Sequence, residues 1–315
     1  MSRKLITKIT VFCLVFVLIT GIAQAGYMAY TTAVKNEGNA GDKPKTADNN
    51  KVPVKEDREA PRAISLNEMG EPKKPEKKEI DPSKVTLSKD MEDAIKKAKG
   101  KDADKHINNC KKLITKLNVP MEYTIEIKKL LDKGHDISDI LAAYEFLYDN
   151  YGQISELEGL LDKKKSGKGF AQLFKEYAKD NKEFVPRNFE PGYLESLLKS
   201  PSMTADDIMI ADRISQKGLK TFEELINLKR QGKSWKEIKS DLGIVNTEEK
   251  LPRIGVTSAQ VRKHMEGSNL TEEQVVEALV LAGKFGKEDT EVIEKAKKGK
   301  KKEDILAEIL ETEYR

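Results

Sequence analysis

A recurrence with a period of 66 residues constrains this chain more than any other feature. Val119-Pro120, Val185-Pro186 and Leu251-Pro252 stand that far apart, and the same order of features follows each pair. A period of tens of residues marks a supersecondary unit that cannot bury its apolar face alone and must pack against further copies. After each pair a helix passes through Leu130 and Leu131, through Leu197 and Leu198, or through Val261 and Met265. A cap residue comes next, Asp136, Thr204 or Thr271, with Asp139, Asp207 or Gln274 three positions later. Such a cap accepts a bond from a first-turn amide that has no partner within its own helix. Ile140, Ile208 and Val275 stand four residues after the cap and Ala143, Ala211 and Ala278 seven after it, so one apolar stripe is rebuilt three times.

The second half of each unit recurs as well. Leu161, Ile226 and Ile293 are each followed six residues later by Gly167, Gly232 and Gly299, and six further on by Leu173, Ile238 and Ile305. Glycine between two helical stretches ends the first by taking the left-handed conformation at little cost. Phe170 and Trp235 stand three residues past the glycine, whereas the third unit has Lys302 there. That substitution suggests a polar, capping end to the array, as terminal repeats tend to have.

The expected fold is therefore all-α, an array of about three four-helix repeats of 66 residues, either a helical bundle or α-solenoid-like. The units span 119–184, 185–250 and 251–315, and residues 86–118 form a helical pair that echoes the end of the third unit with an offset of one residue. In the first unit the helices are expected near 121–133, 136–151, 153–164 and 168–179. In the second they fall near 190–200, 204–217, 220–231 and 233–242, and in the third near 257–266, 271–285, 288–298 and 301–312. No run alternates apolar and polar residues long enough for a sheet.

Upstream the chain changes character. Arg3, Lys4 and Lys8 precede the uncharged, mostly apolar run Ile9 to Ala23, and Ala23-Gln24-Ala25 supplies the small-x-small pattern of a signal peptide cleaved before Gly26. The alternative is an uncleaved membrane anchor over residues 9–30, 22 residues long against the ~20 that a bilayer requires. Either route places the remainder outside the cytoplasm, because the positive flank stays inside. Residues 35–85 hold six of the eleven prolines and no aromatic residue, a composition expected to remain disordered. As a flexible linker of ~50 residues it has a reach on the order of 40 Å.

Charge and motifs exclude several classes of function. The 57 Lys and Arg are nearly matched by 53 Asp and Glu, and removal of residues 1–25 leaves 54 against 53. Without a clustered basic excess there is no footprint for nucleic acid. The string from Gln231 to Ile244 has a helix-turn-helix rhythm, but it reads equally as a helix capped by Ser234. Cys110 is the only cysteine after the export segment, so no internal disulfide is available there. His106 and Cys110, at i and i+4, make half of a zinc site that neither His135 nor His264 completes in sequence. No nucleophile-and-base spacing, phosphate loop or calcium loop is present, so no cofactor, metal or catalytic residue is assigned.

Stacked helical repeats make extended recognition surfaces, and the leading expectation is a non-enzymatic binding scaffold for another envelope or secreted protein. One alternative is binding of an anionic wall polymer or membrane surface through lysine-rich faces such as Lys297 to Asp304. A second is an enzyme whose site only the fold assembles. Trp235, the single tryptophan, is expected either in the core or at a junction where a partner covers it. Export is the first point open to measurement: N-terminal sequencing of the mature protein should begin at Gly26, whereas intact Met1 in the membrane fraction would establish the anchor.

Overall fold

The computed structural model describes residues 85–200 and 202–315. The export segment with Ala23, Ala25 and Gly26, the apolar run 9–30 and the linker through residue 84 lie outside the described residues. Among the described residues the chain is all-α, and no helix is long and apolar enough to cross a membrane. Its β geometry is a single antiparallel bridge between Gln153 and Ile244.

Helices α1 (Lys89–Lys99) and α2 (Ala103–Leu117) come first, joined by one 3-10 turn over Gly100–Asp102. Residues 119–184 carry α3 (Met121–Asp132), α4 (Ile137–Asp149), α5 (Glu156–Lys165) and α6 (Phe170–Asp180). Residues 185–250 carry α7 (Pro191–Leu198), α8 (Ala205–Gln216), α9 (Phe222–Arg230) and α10 (Trp235–Asp241). Residues 251–315 carry α11 (Ser258–Met265), α12 (Glu272–Phe285), α13 (Asp289–Lys297) and α14 (Lys302–Tyr314). Each lies within a few residues of the span that apolar periodicity assigned to it.

Local chemistry explains these boundaries. Thr204 and Thr271 accept bonds from the amides of Asp207 and Gln274, whose side chains reach back to the cap amides and complete capping boxes. Asp136 caps α4 through Ser138 N at 2.8 Å, without a returning bond from Asp139. Gly167, Gly232 and Gly299 have φ of 100°, 89° and 79°, a left-handed conformation that any side chain would resist. The stripe is buried throughout: Ile140, Ala143, Ile208, Ala211, Val275 and Ala278 are all at most 2% exposed.

Packing does not follow an open stack. One apolar core joins α1 to α6 with α11 to α14, while α7 to α10 enclose a second core that Tyr151 and Leu251 help to complete. The link is α14, which packs against α6, α4 and α2 as well as against α12 and α13 of its own segment. The polar capping end expected for the third segment is therefore corrected. Ile305, Leu306, Ala307, Ile309 and Leu310 are buried on more than one face of α14, and such a helix must be enclosed rather than left as a terminal cover. A solenoid in which each unit touches only its sequence neighbours is excluded by the same contacts.

The second segment joins the first through a short polar clasp. Ile154 N donates to the Gly243 carbonyl at 2.8 Å and Val245 N to the Gly152 carbonyl at 3.0 Å. Gln153 Nε2 adds a bond to the Leu242 carbonyl at 2.8 Å and Asn246 Nδ2 one to the Tyr148 carbonyl at 3.1 Å. Burial of the stripe sets a test. Ile208→Asp places an unpaired charge in the second core and should lower unfolding stability by about 3 kcal/mol or more, while Lys236→Gln at an exposed site should change it by less than ~0.5 kcal/mol. Equal tolerance in urea unfolding would show that the stripe is not buried.

Candidate functional site

A cleft of about 720 Å³ opens where the three segments meet. The first segment contributes Tyr148, Asp149, Tyr151 and the linker residues Glu183 and Phe184, the second Arg213 and Lys217, and the third Glu277, Lys284 and Lys302. Phe146 and Phe174 form part of its lining and stack with ring centroids 3.7 Å apart. The return of α14 is what brings Lys302 to this place.

Some of the charges around the cleft are matched across segments. Lys284 pairs with Asp149 at 2.5 Å, and Lys302 with Glu183 at 2.7 Å. Deeper in, Lys116 pairs with the buried Glu145 at 2.6 Å, and Tyr314 Oη donates to the same carboxylate. Glu277 is served poorly. Its oxygen lies 4.0 Å from Lys302, whose closer partner is Glu183, and burial pushes the carboxyl up to about 7 against the opposing pull of Lys302.

Two cations flank Tyr151. The Arg213 guanidinium lies 4.0 Å from the ring centroid, and the Lys239 ammonium 4.7 Å from it. Lys239 is fully buried, donates to the Glu248 carbonyl at 2.7 Å, and burial brings it down to about 7. Tyr151 itself has φ of 53°, a strained value for a residue with a side chain, held by the clasp beside it.

The residues singled out from sequence lie elsewhere. The caps, the glycines and the stripe are structural parts of their helices. Trp235 is fully buried, and its indole N–H donates to Asp207 Oδ1 at 2.7 Å, so it offers no surface to a partner. Asp207 thus serves both the cap of α8 and the start of α10. His106 and Cys110 both face the core, with His106 Nδ1 3.3 Å from Ser138 Oγ, and burial pushes the thiol up to about 12. Among the described residues no group of three or more His, Cys, Asp or Glu is placed to hold a metal ion.

The cleft residues escaped sequence reasoning, although a signal was present. Nine residues after the three caps stand Glu145, Arg213 and Val280, and thirteen after them Asp149, Lys217 and Lys284. All but Glu145 line the cleft. Each is a position where one chemical type fails to recur, and these departures from the pattern mark the shared face. Comparison of the chain with protein-family models, with curated proteins and with solved structures gives no match.

Glu277 gives the site a pH signature. Because its folded value of about 7 lies above its ordinary 4.5, the folded chain keeps a proton that the unfolded chain releases. Its contribution to stability therefore falls as pH rises from about 4.5 to about 7 and is level above that. Glu277→Gln removes the slope. Discounted for a side chain 25% exposed, the gain in unfolding stability should be about 1–2 kcal/mol larger near pH 8 than near pH 5 in urea titrations. A gain independent of pH would refute the assignment.

Proposed function

We propose that the chain is a non-enzymatic, extracytoplasmic protein that holds a peptide segment of another envelope or secreted protein in the central cleft. It is built from three copies of one four-helix unit at 119–184, 185–250 and 251–315, with 86–118 a partial copy. Residues 1–25 direct export, or residues 9–30 anchor the chain, and residues 35–85 act as a leash.

The observation that carries this reading is the cleft. Its volume of about 720 Å³ lies within the range of roughly 300–1,000 Å³ typical of ligand sites. Aromatic rings in the lining supply contact area, and charged groups from three segments supply direction along the cleft. Less supports the alternative of an anionic polymer or membrane surface. Lys128, Lys133, Lys297 and Lys300 each face a carboxylate within the chain, which leaves the outer lysine faces largely neutralised.

Ala178, a small residue in the wall of the cleft on α6, permits a direct test. Full-length Ala178→Trp should fill part of the cleft and abolish capture of the partner from envelope extracts, with the melting temperature unchanged. Capture by the parent chain should survive about 1 M salt, where the Debye length is roughly 3 Å. Capture retained by Ala178→Trp, or lost from the parent chain in high salt, would favour the lysine faces instead.

A further inference from the structure

The cations of the cleft are not used alike. Lys116, Lys284 and Lys302 each have a carboxylate partner. Arg213 and Lys217, one turn apart on the second segment's wall, form no ion pair with a described carboxylate. Arg213 is only 9% exposed, and its Nη2 donates to the Asp149 carbonyl at 3.0 Å. Lys217 donates to Asn181 Oδ1 at 3.3 Å and sits 5.5 Å from the centroid of the Tyr177 ring.

The nearest carboxylates form no ion pair with either cation. Around Arg213 these are Asp149, held by Lys284, and Glu183, held by Lys302. Near Lys217 it is Glu156, which is held by Gln153 N at 2.6 Å and Tyr177 Oη at 3.2 Å and only partly offsets the cost of burying the lysine's charge. Burial disfavours the charge on both cations, and Arg213 adds a further downward pull on Lys217. A buried cation with no counter-charge in ion-pair contact is costly, and an anion entering the cleft would relieve that cost at both residues.

We propose that Arg213 and Lys217 form an oxyanion subsite that receives a carboxylate of the bound peptide, either its C-terminal group or an acidic side chain. The guanidinium supplies a planar fork for two oxygens and the ammonium a point charge beside it. This assignment deepens the peptide-binding reading of the cleft and rests on it. The other cleft cations that lack a pair, Lys182 and Lys250, are exposed and solvated, so desolvation singles out the Arg213 and Lys217 pair.

The test follows acylation of individual lysines in the full-length chain by peptide mass spectrometry. Four probes are compared at equal ionic strength: N-acetyl-alanyl-alanine, its C-terminal amide, N-acetyl-glutamic acid α-amide, and inorganic phosphate. One of the two carboxylate probes, N-acetyl-alanyl-alanine or N-acetyl-glutamic acid α-amide, should slow modification of Lys217 by about tenfold at saturation and leave the exposed Lys298 unaffected, in line with a charge-assisted bond. Protection by N-acetyl-alanyl-alanine but not by the glutamic acid amide assigns the C-terminal group, and protection by the glutamic acid amide assigns a side chain. Lys217→Gln, which keeps Arg213 on Tyr151, should weaken binding of the protecting probe by about tenfold in calorimetry while circular dichroism shows the fold intact. Protection by phosphate alone, equal protection by the neutral amide, or no selective protection of Lys217 would overturn the proposal. Loss of capture in Ala178→Trp without carboxylate protection would leave the peptide reading standing and remove only this subsite.

Discussion

Enclosure of α14 is the constraint on which the rest of the structure depends. With Ile305, Leu306, Ala307, Ile309 and Leu310 buried, this helix has too much apolar surface to cover with its own segment alone. It finds the remaining cover on α4 and α6, and its end is fixed there by polar bonds: Tyr314 Oη donates to the buried Glu145, while the Tyr314 carbonyl accepts from Asn109 Nδ2 at 3.1 Å. Lys116 balances the Glu145 charge. Cys110 is the single cysteine of the described residues and is buried as a free thiol, so this packing closes the chain where a disulfide is absent.

Closure leaves the second segment in a different position from the other two. Its core is largely its own, and its attachment combines a clasp of backbone and amide bonds between residues 152–154 and 242–245 with Tyr151 set into the second core and Val245 into the first. Backbone bonds fix distance and direction there, and the buried Tyr151 and Val245 carry apolar contact across the join. The cleft is the space left between these two cores. Its walls combine helices with the loops at 150–151, 181–184 and 246–252, and the strain stored at Tyr151 sits at the point where clasp and cleft meet.

The electrostatics of that space follow from the same arrangement. Asp149, Lys217 and Lys284, thirteen residues after the caps of α4, α8 and α12, line one cleft, and two lysines and one aspartate cannot all be matched. Lys284 and Asp149 neutralise each other, and Arg213 stands where the first segment has Glu145, which is itself occupied by Lys116 and Tyr314. Burial then raises the cost of each unmatched charge, as the displaced values of Glu277 and Lys217 record.

Much of the local architecture was legible in the sequence because it rests on short-range physics. The caps Asp136, Thr204 and Thr271, the glycines at 167, 232 and 299, and the stripe through Ile140, Ile208 and Val275 are set by hydrogen bonds, backbone sterics and helical periodicity within a few residues. Long-range choices were not legible. Lys302 read as the polar end of an array, yet its helix is drawn into the first segment by an apolar surface whose cover lies more than a hundred residues away. Trp235 read as core or junction, and only Asp207, brought beside it as α8 and α10 both pack on α9, decided for the core. The sequence by itself determined which residues form helices and which of their faces must be buried. Tertiary structure alone decided which buried faces meet and which charges are left without partners, because both depend on contacts that no local pattern encodes.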